Sequence, residues 1–137
     1  MARILAVDDA AIVLRLETAI LHRAGHEVAN STAGPEALKQ LGIEPEDKSV
    51  ELPDLLILDL MMPRMDGYEF AAIIRSNRRT SRIPILVVSA LRELSRIFTA
   101  KVQVDGFLTK PFEPEDLIAN VAKILGKRKA QGKVRAV

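Results

Sequence analysis

Apolar and polar positions follow two rhythms along the chain. Short aliphatic runs stand at Ile4–Val7, at Leu55–Leu60 (interrupted by Asp59) and at Ile83–Val88, with weaker and more polar runs at Glu27–Asn30 and Gly106–Leu108. Between these runs, apolar residues return every three or four positions. Ile12, Val13, Leu16, Ala19 and Ile20 form one such set, Leu38 and Leu41 a second, and Phe70, Ile73 and Ile74 a third. Leu91, Leu94, Ile97 and Phe98 form a fourth, and Leu117, Val121, Ile124 and Leu125 the last. The spacing predicts five strands, each followed by a helix. Local punctuation agrees. Gly25 suits the residue after a helix end, Gly34-Pro35 opens a helix with proline in its first turn, and Asp66 with Glu69 resembles a capping box. Pro114 starts the last helix.

Strict alternation of strand and helix argues for a parallel sheet with helices on both faces. Strands buried on both sides read as unbroken apolar runs, as the first, third and fourth do; the second and fifth read as edges. In such a sheet, ligands bind beyond the carboxyl ends of the strands at a switch in strand order. Asp8 and Asp9 follow the first strand, Asp59 ends the third, Ser89 ends the fourth and Lys110 follows the fifth. With the common order 2-1-3-4-5, the three carboxylates converge, and the serine and lysine lie beside them.

Composition narrows the field. The 137 residues suit one domain, and 48% of them are apolar. There is no cysteine, which excludes disulfides and thiolate metal sites and points to a reducing, cytoplasmic location. No apolar run reaches the ~18 residues of a membrane span, and MARILAVDD meets two acids too soon for a secretory signal. The net charge is +2, but Lys127, Arg128, Lys129, Lys133 and Arg135 all follow Gly126, with no acid among them. A domain over residues 1–126 and a basic tail or linker over 127–137 are therefore expected, and nucleic-acid binding is not expected for this chain. RSNRRTSR, from Arg75 to Arg82, precedes the fourth strand and reads as a solvated loop at the other end of the sheet. GIEPEDKSVELP, rich in proline and acid, reads as a surface loop.

Three close carboxylates repel one another, and a divalent cation removes the conflict. Oxygen-only donors favour Mg²⁺ or Mn²⁺ over zinc. A fixed ammonium and a hydroxyl beside them suit phosphate oxygens. No P-loop and no dinucleotide-binding glycine motif is present, so nucleotide hydrolysis has no support.

Asp8-Asp9, the segment LLILDLMMPRMDG around Asp59, VVSA around Ser89 and LTKPF around Lys110 together resemble the receiver domain of two-component response regulators, over roughly residues 3–126. The resemblance implies a flavodoxin-like, doubly wound sheet of order 2-1-3-4-5 and a phosphorylation-dependent signalling switch. It implies Asp59 as phosphoacceptor, taking a phosphoryl group from a sensor histidine kinase, a phosphotransfer protein or a small phosphodonor. It implies Mg²⁺ held by Asp9, Asp59 and the backbone carbonyl of Met61, with Asp8 acting through water. Lys110 would pair with Asp59 and then with the phosphoryl group, from a loop with a cis Lys110-Pro111 bond. Ser89 would hydrogen-bond a phosphoryl oxygen, and Phe107 would turn inward, reshaping the face around strands four and five for a downstream protein target. A phosphorylation-dependent homodimer is a further implied partner. Such a domain catalyses only its own phosphorylation and dephosphorylation. Met61 and Leu91, two positions after Asp59 and Ser89, form an apolar rim expected to restrict water. Two other readings stay open: a binding module that works without phosphate, and an aspartyl-phosphate phosphatase. The second expects an Asp-x-Asp nucleophile after the first strand, where this chain has Ala10.

Overall fold

The computed structural model of the chain describes residues 1–59, 65–90 and 102–130, apart from the side chains of Lys129 and Ala130. Five strands, β1 (Arg3–Val7), β2 (Glu27–Ser31), β3 (Leu55–Leu58), β4 (Ile85–Ser89) and β5 (Gly106–Thr109), form one sheet in the order β2-β1-β3-β4-β5. Every pairing is parallel. Helices α1 (Ala11–Arg23), α2 (Gly34–Gln40), α3 (Gly67–Ser76) and α4 (Pro114–Ala130) complete the described elements. The helix predicted around Leu91 to Phe98 lies outside the described residues.

Alternation along the strands divides the core in two. Leu55 and Ile57 join Ile4, Ala6, Leu86 and Val88 on the face covered by α1 and α4. Leu56 and Leu58 join Leu5, Val7, Ile85 and Val87 on the face covered by α2 and α3. Both faces of β1, β3 and β4 are thus dry, which is why their sequences carry no polar alternation until the strand ends.

The helix boundaries follow the local chemistry. Gly25 has φ +94°, a region open to glycine. It completes a Schellman motif in which its N–H bonds the carbonyl of His22 at 3.0 Å and that of His26 bonds Leu21 at 3.1 Å. Asp66 caps α3, accepting the Glu69 N–H at 2.7 Å. β4 starts two residues later than its apolar run because the Ile83 N–H closes a turn onto Thr80 at 3.0 Å.

Two expectations are corrected. Of the apolar set on α1 only Ile20 joins the fully buried face: Ile12 is 74% exposed and Leu16 50%. Leu14, Glu17 and Leu21 face inward beside it. Steps of four residues advance a helical stripe by about 40° each, so such a stripe winds off any one contact, and packing against α4 and the sheet fixes the face. The segment Arg75–Arg82 is also not simply solvated. Arg75 donates to the carbonyls of Gln103 (2.9 Å), Ser81 (3.1 Å) and Ile83 (2.6 Å) and pairs with Asp105 at 3.3 Å. Arg79 donates to the carbonyls of Asp47 and Val50 in the 42–53 loop, and Thr80 is fully buried with its hydroxyl on the Ile74 carbonyl. These side chains close orphan carbonyls at the end of α3, in the 42–53 loop and where the chain enters β4 and β5. Residues 44–49 of the long loop are exposed, as expected.

Candidate functional site

The ladder of the sheet runs one step beyond the strands and fixes the residues that follow them. The Asp8 N–H donates to Ser31 (3.1 Å), that of Asp59 to Val7 (3.0 Å) and that of Lys110 to Ser89 (3.0 Å). Val7 pairs with Leu58 in register, so Asp8 and Asp59 stand level. Leu58 pairs with Val87, which sets Ser89 one step further out. Strand alternation gives Asp8 the parity of Ile4 and Ala6, and Asp59 that of Leu55 and Ile57. Lys110 has the parity of Gly106 and Leu108. All three therefore belong to the face under α1 and α4, while Ser89 has the opposite parity.

The geometry brings the predicted acids together. Asp8, Asp9 and Asp59 each offer a carboxylate oxygen within 4.8 Å of the others. Asp8 and Asp59 are buried and Asp9 is exposed, so the cluster opens to solvent on one side. Asp8 also accepts the Ala10 N–H at 2.9 Å, a turn that aims its carboxylate. Lys110 reaches in from the loop after β5, through a cis Lys110-Pro111 bond. Its ammonium lies 2.7 Å from Asp8 and 3.3 Å from Asp59. The expected pairing with Asp59 is thus shared, and Asp8 is the nearer partner. Burial works against the Lys110 charge, but the hydrogen bond that the ammonium donates to Asp8 and the charges of Asp59 and Asp8 outweigh it, holding the ammonium above its ordinary pKa.

One ammonium against three carboxylates leaves two negative charges uncompensated, which is the charge of one divalent cation. The donors are all hard oxygens, a set that fits Mg²⁺ and gives zinc no nitrogen or sulfur. Ser89 is buried at the end of β4. Phe107 is 46% exposed, so it points out of the core. Met61 and Leu91 lie outside the described residues, as does the end of the basic tail.

One residue of the site escaped the sequence reading. Glu17 is 1% exposed, and neither carboxylate oxygen has a hydrogen-bond partner among the described residues. Burial first, then Asp8 and Asp59 working against Lys110, push its carboxyl up to about 8. The signal was available: Leu14 and Leu21 share a helix face with position 17 between them, but a glutamate there reads as solvent-facing.

No described helix is long and apolar enough to cross a membrane. The family model for the response regulator receiver domain matches residues 4–122. The DNA-binding dual master transcriptional regulator RpaA of a Synechocystis strain is 35% identical over 91% of this chain and 49% of its own length. The alkaline phosphatase synthesis transcriptional regulatory protein PhoP of Bacillus subtilis is 34% identical over 90% of this chain and 48% of its own. The chain thus spans about half the length of the curated relatives it matches. The crystal structure of the chemotaxis response regulator CheY4 of Vibrio cholerae superposes with a TM-score of 0.78 at 30% identity, covering 90% of this chain and 98% of that one. Family match, strand order and strand-end residues agree: the chain belongs to the response regulator receiver domains, the phosphoacceptor switches of two-component signalling.

Proposed function

We propose that Asp59 is the phosphoacceptor of this domain. A carboxylate oxygen of Asp59 attacks phosphorus in a phosphohistidine of a sensor kinase or phosphotransfer protein, or in a small phosphodonor. The new O–P bond forms as the P–N or P–O bond to the donor breaks, and the electron pair leaves with the donor group. Support comes from the convergence of Asp8, Asp9 and Asp59 within 4.8 Å beside a half-buried lysine. Such transfer needs positioning and neutralised charge more than covalent chemistry by the protein. Asp9, Asp59 and the Met61 carbonyl would hold Mg²⁺, with Asp8 acting through water; the ion supplies charge neutralisation for the transferring phosphoryl group. Lys110, resting between Asp8 and Asp59, follows the charge onto the phosphoryl oxygens, and Ser89 donates its hydroxyl to one of them.

The added group carries roughly −1.5 to −2 charge and three acceptor oxygens. Ser89 moves toward it, and Phe107 exchanges its exposed position for the space left behind. The face around β4 and β5 then binds a downstream protein, or a second copy of the chain. Residues 1–126 act as the receiver unit and 127–137 as a basic extension. The transcriptional roles that RpaA and PhoP are named for belong to chains of which this one spans about half; the target of this chain is a protein.

Incubation with Mg²⁺ and an acyl phosphate, followed by intact mass measurement, tests the chemistry. One added phosphate is expected, absent in Asp59→Ala. Full labelling of Asp59→Ala, or phosphate release from esters independent of Asp59, would reject it. Met61 and Leu91 are proposed to shield the phosphoaspartate from water. Replacing both by serine should quicken its decay, followed by the same mass assay; unchanged decay would remove that part of the proposal.

A further inference from the structure

At the amino ends of β4 and β5, across the sheet from Asp59, a cavity of about 420 Å³ opens beside the end of α4. Arg75, Arg82, Lys127 and Arg128 line it, and Asp105 is its one acidic lining residue. A second cavity, of about 320 Å³, shares Arg82 and Arg128 with the first and adds Arg79 and Asp54. Five cations therefore face two carboxylates. The carboxylates are already engaged: Asp105 takes Arg75 at 3.3 Å and the Ile85 N–H at 2.8 Å, and Asp54 accepts the Arg3 N–H at 2.9 Å. Arg75 and Arg79 are committed to backbone carbonyls, as described above. Arg82 and Lys127 are exposed and have no ion pair or hydrogen bond among the described residues. Arg128 gives one nitrogen to the Asp54 carbonyl at 2.6 Å, while its Nε is buried and has no acceptor among the described residues.

We propose that this cavity is a second, anionic-ligand site, distinct from the acidic cluster, which takes a soluble oligophosphate such as pyrophosphate or the phosphates of a nucleotide. Arg128 adds its positive charge to the wall of the cavity. Arg82 supplies a planar fork suited to phosphate oxygens and Lys127 a mobile point charge. Three uncompensated cations suit a multiply charged ligand better than a single carboxylate. The volume lies within the range of small-molecule sites. The pocket also joins the entries of β4 and β5 to α4, so an occupant would bear on the elements that flank Ser89 and Lys110.

The test is titration of the full chain with pyrophosphate, free of divalent ions, followed by amide NMR and calorimetry. Saturable shifts centred on Arg82, Gln103, Asp105 and Lys127 are expected. Arg82→Gln combined with Lys127→Gln should weaken binding by about tenfold or more, the loss of two charge-assisted contacts. Both residues are exposed, so an unchanged melting temperature is expected to accompany that loss. Lys133→Gln with Arg135→Gln, and separately Asp59→Ala, should bind like the parent chain. Shifts spread over every exposed cation, binding indifferent to the Arg82/Lys127 pair, or binding lost with the Lys133/Arg135 pair would overturn the proposal. So would retention on vesicles bearing a phosphoinositide without any response to pyrophosphate.

Discussion

Glu17 places a carboxyl group in the core without a hydrogen-bond partner among the described residues, and the cost of that placement depends on pH. Below about pH 4.5, its ordinary value, the group is neutral folded or unfolded and costs little electrostatically. Between there and about 8, its value in the fold, only the unfolded chain ionises. Stability then falls by about 1.4 kcal/mol per pH unit as pH rises, an upper limit because the core can relax. Above about 8 the loss is complete and constant. Glu17→Gln keeps the shape and abolishes the titration. It should stabilise the fold at pH 7 to 8 by about 1–3 kcal/mol, and its advantage should vanish toward pH 4.5. Denaturant titrations of both chains across this window would check it; a pH-independent difference would mean that Glu17 does not titrate as described. Lys110 has the opposite character: its ammonium is held above its ordinary pKa, so its contribution is present below about pH 10.5 and is lost only as pH climbs past the raised value.

At the scale of elements, the acids converge because parallel strands in register end together, and each ladder bond beyond a strand end orients one residue. The opposite end of the sheet is held by arginine. Arg75 ties the last turn of α3 to the entries of β4 and β5 through three carbonyls and Asp105. Arg75→Met would keep much of the stem and lose every one of these bonds. A loss of about 3 kcal/mol is expected, read as a shift in the denaturation midpoint. Arg75→Lys should rescue little of it, because one ammonium cannot serve carbonyls spread around a planar fork. This role was hidden in the sequence, where RSNRRTSR looks like any charged turn. Strand and helix order was plain, since burial on both faces writes an unbroken apolar run, and Gly25 and Asp66 mark their helix ends through rules local to the backbone. Which side of α1 faces inward was not plain: Ile12 and Leu16 fit a helical stripe as well as Leu14 and Leu21 do.

For the molecule as a whole, the acidic cluster trades stability for readiness to bind. Three carboxylates share one ammonium, so removing an acid should relieve repulsion while removing a ligand. Asp9→Asn, which alters the exposed member, should raise the metal-free melting temperature. Mg²⁺ at about a hundred times its dissociation constant should stabilise the parent chain by about 2.7 kcal/mol and Asp9→Asn far less. Thermal melts with and without Mg²⁺ measure both; an equal response of the two chains would dissociate Asp9 from the ion. The sequence by itself determined the alternating architecture, the sheet order through its family resemblance, and the identity of the residues at the strand ends, because those features follow from periodicity and local rules. Tertiary structure alone decided that Lys110 sits closer to Asp8 than to Asp59, that Glu17 is buried within reach of their charges, and that Arg75 is a brace while Arg82 and Lys127 stay unpaired among the described residues. Each of these depends on distances between segments remote in the chain, and a distance set by packing leaves no periodic trace in the sequence.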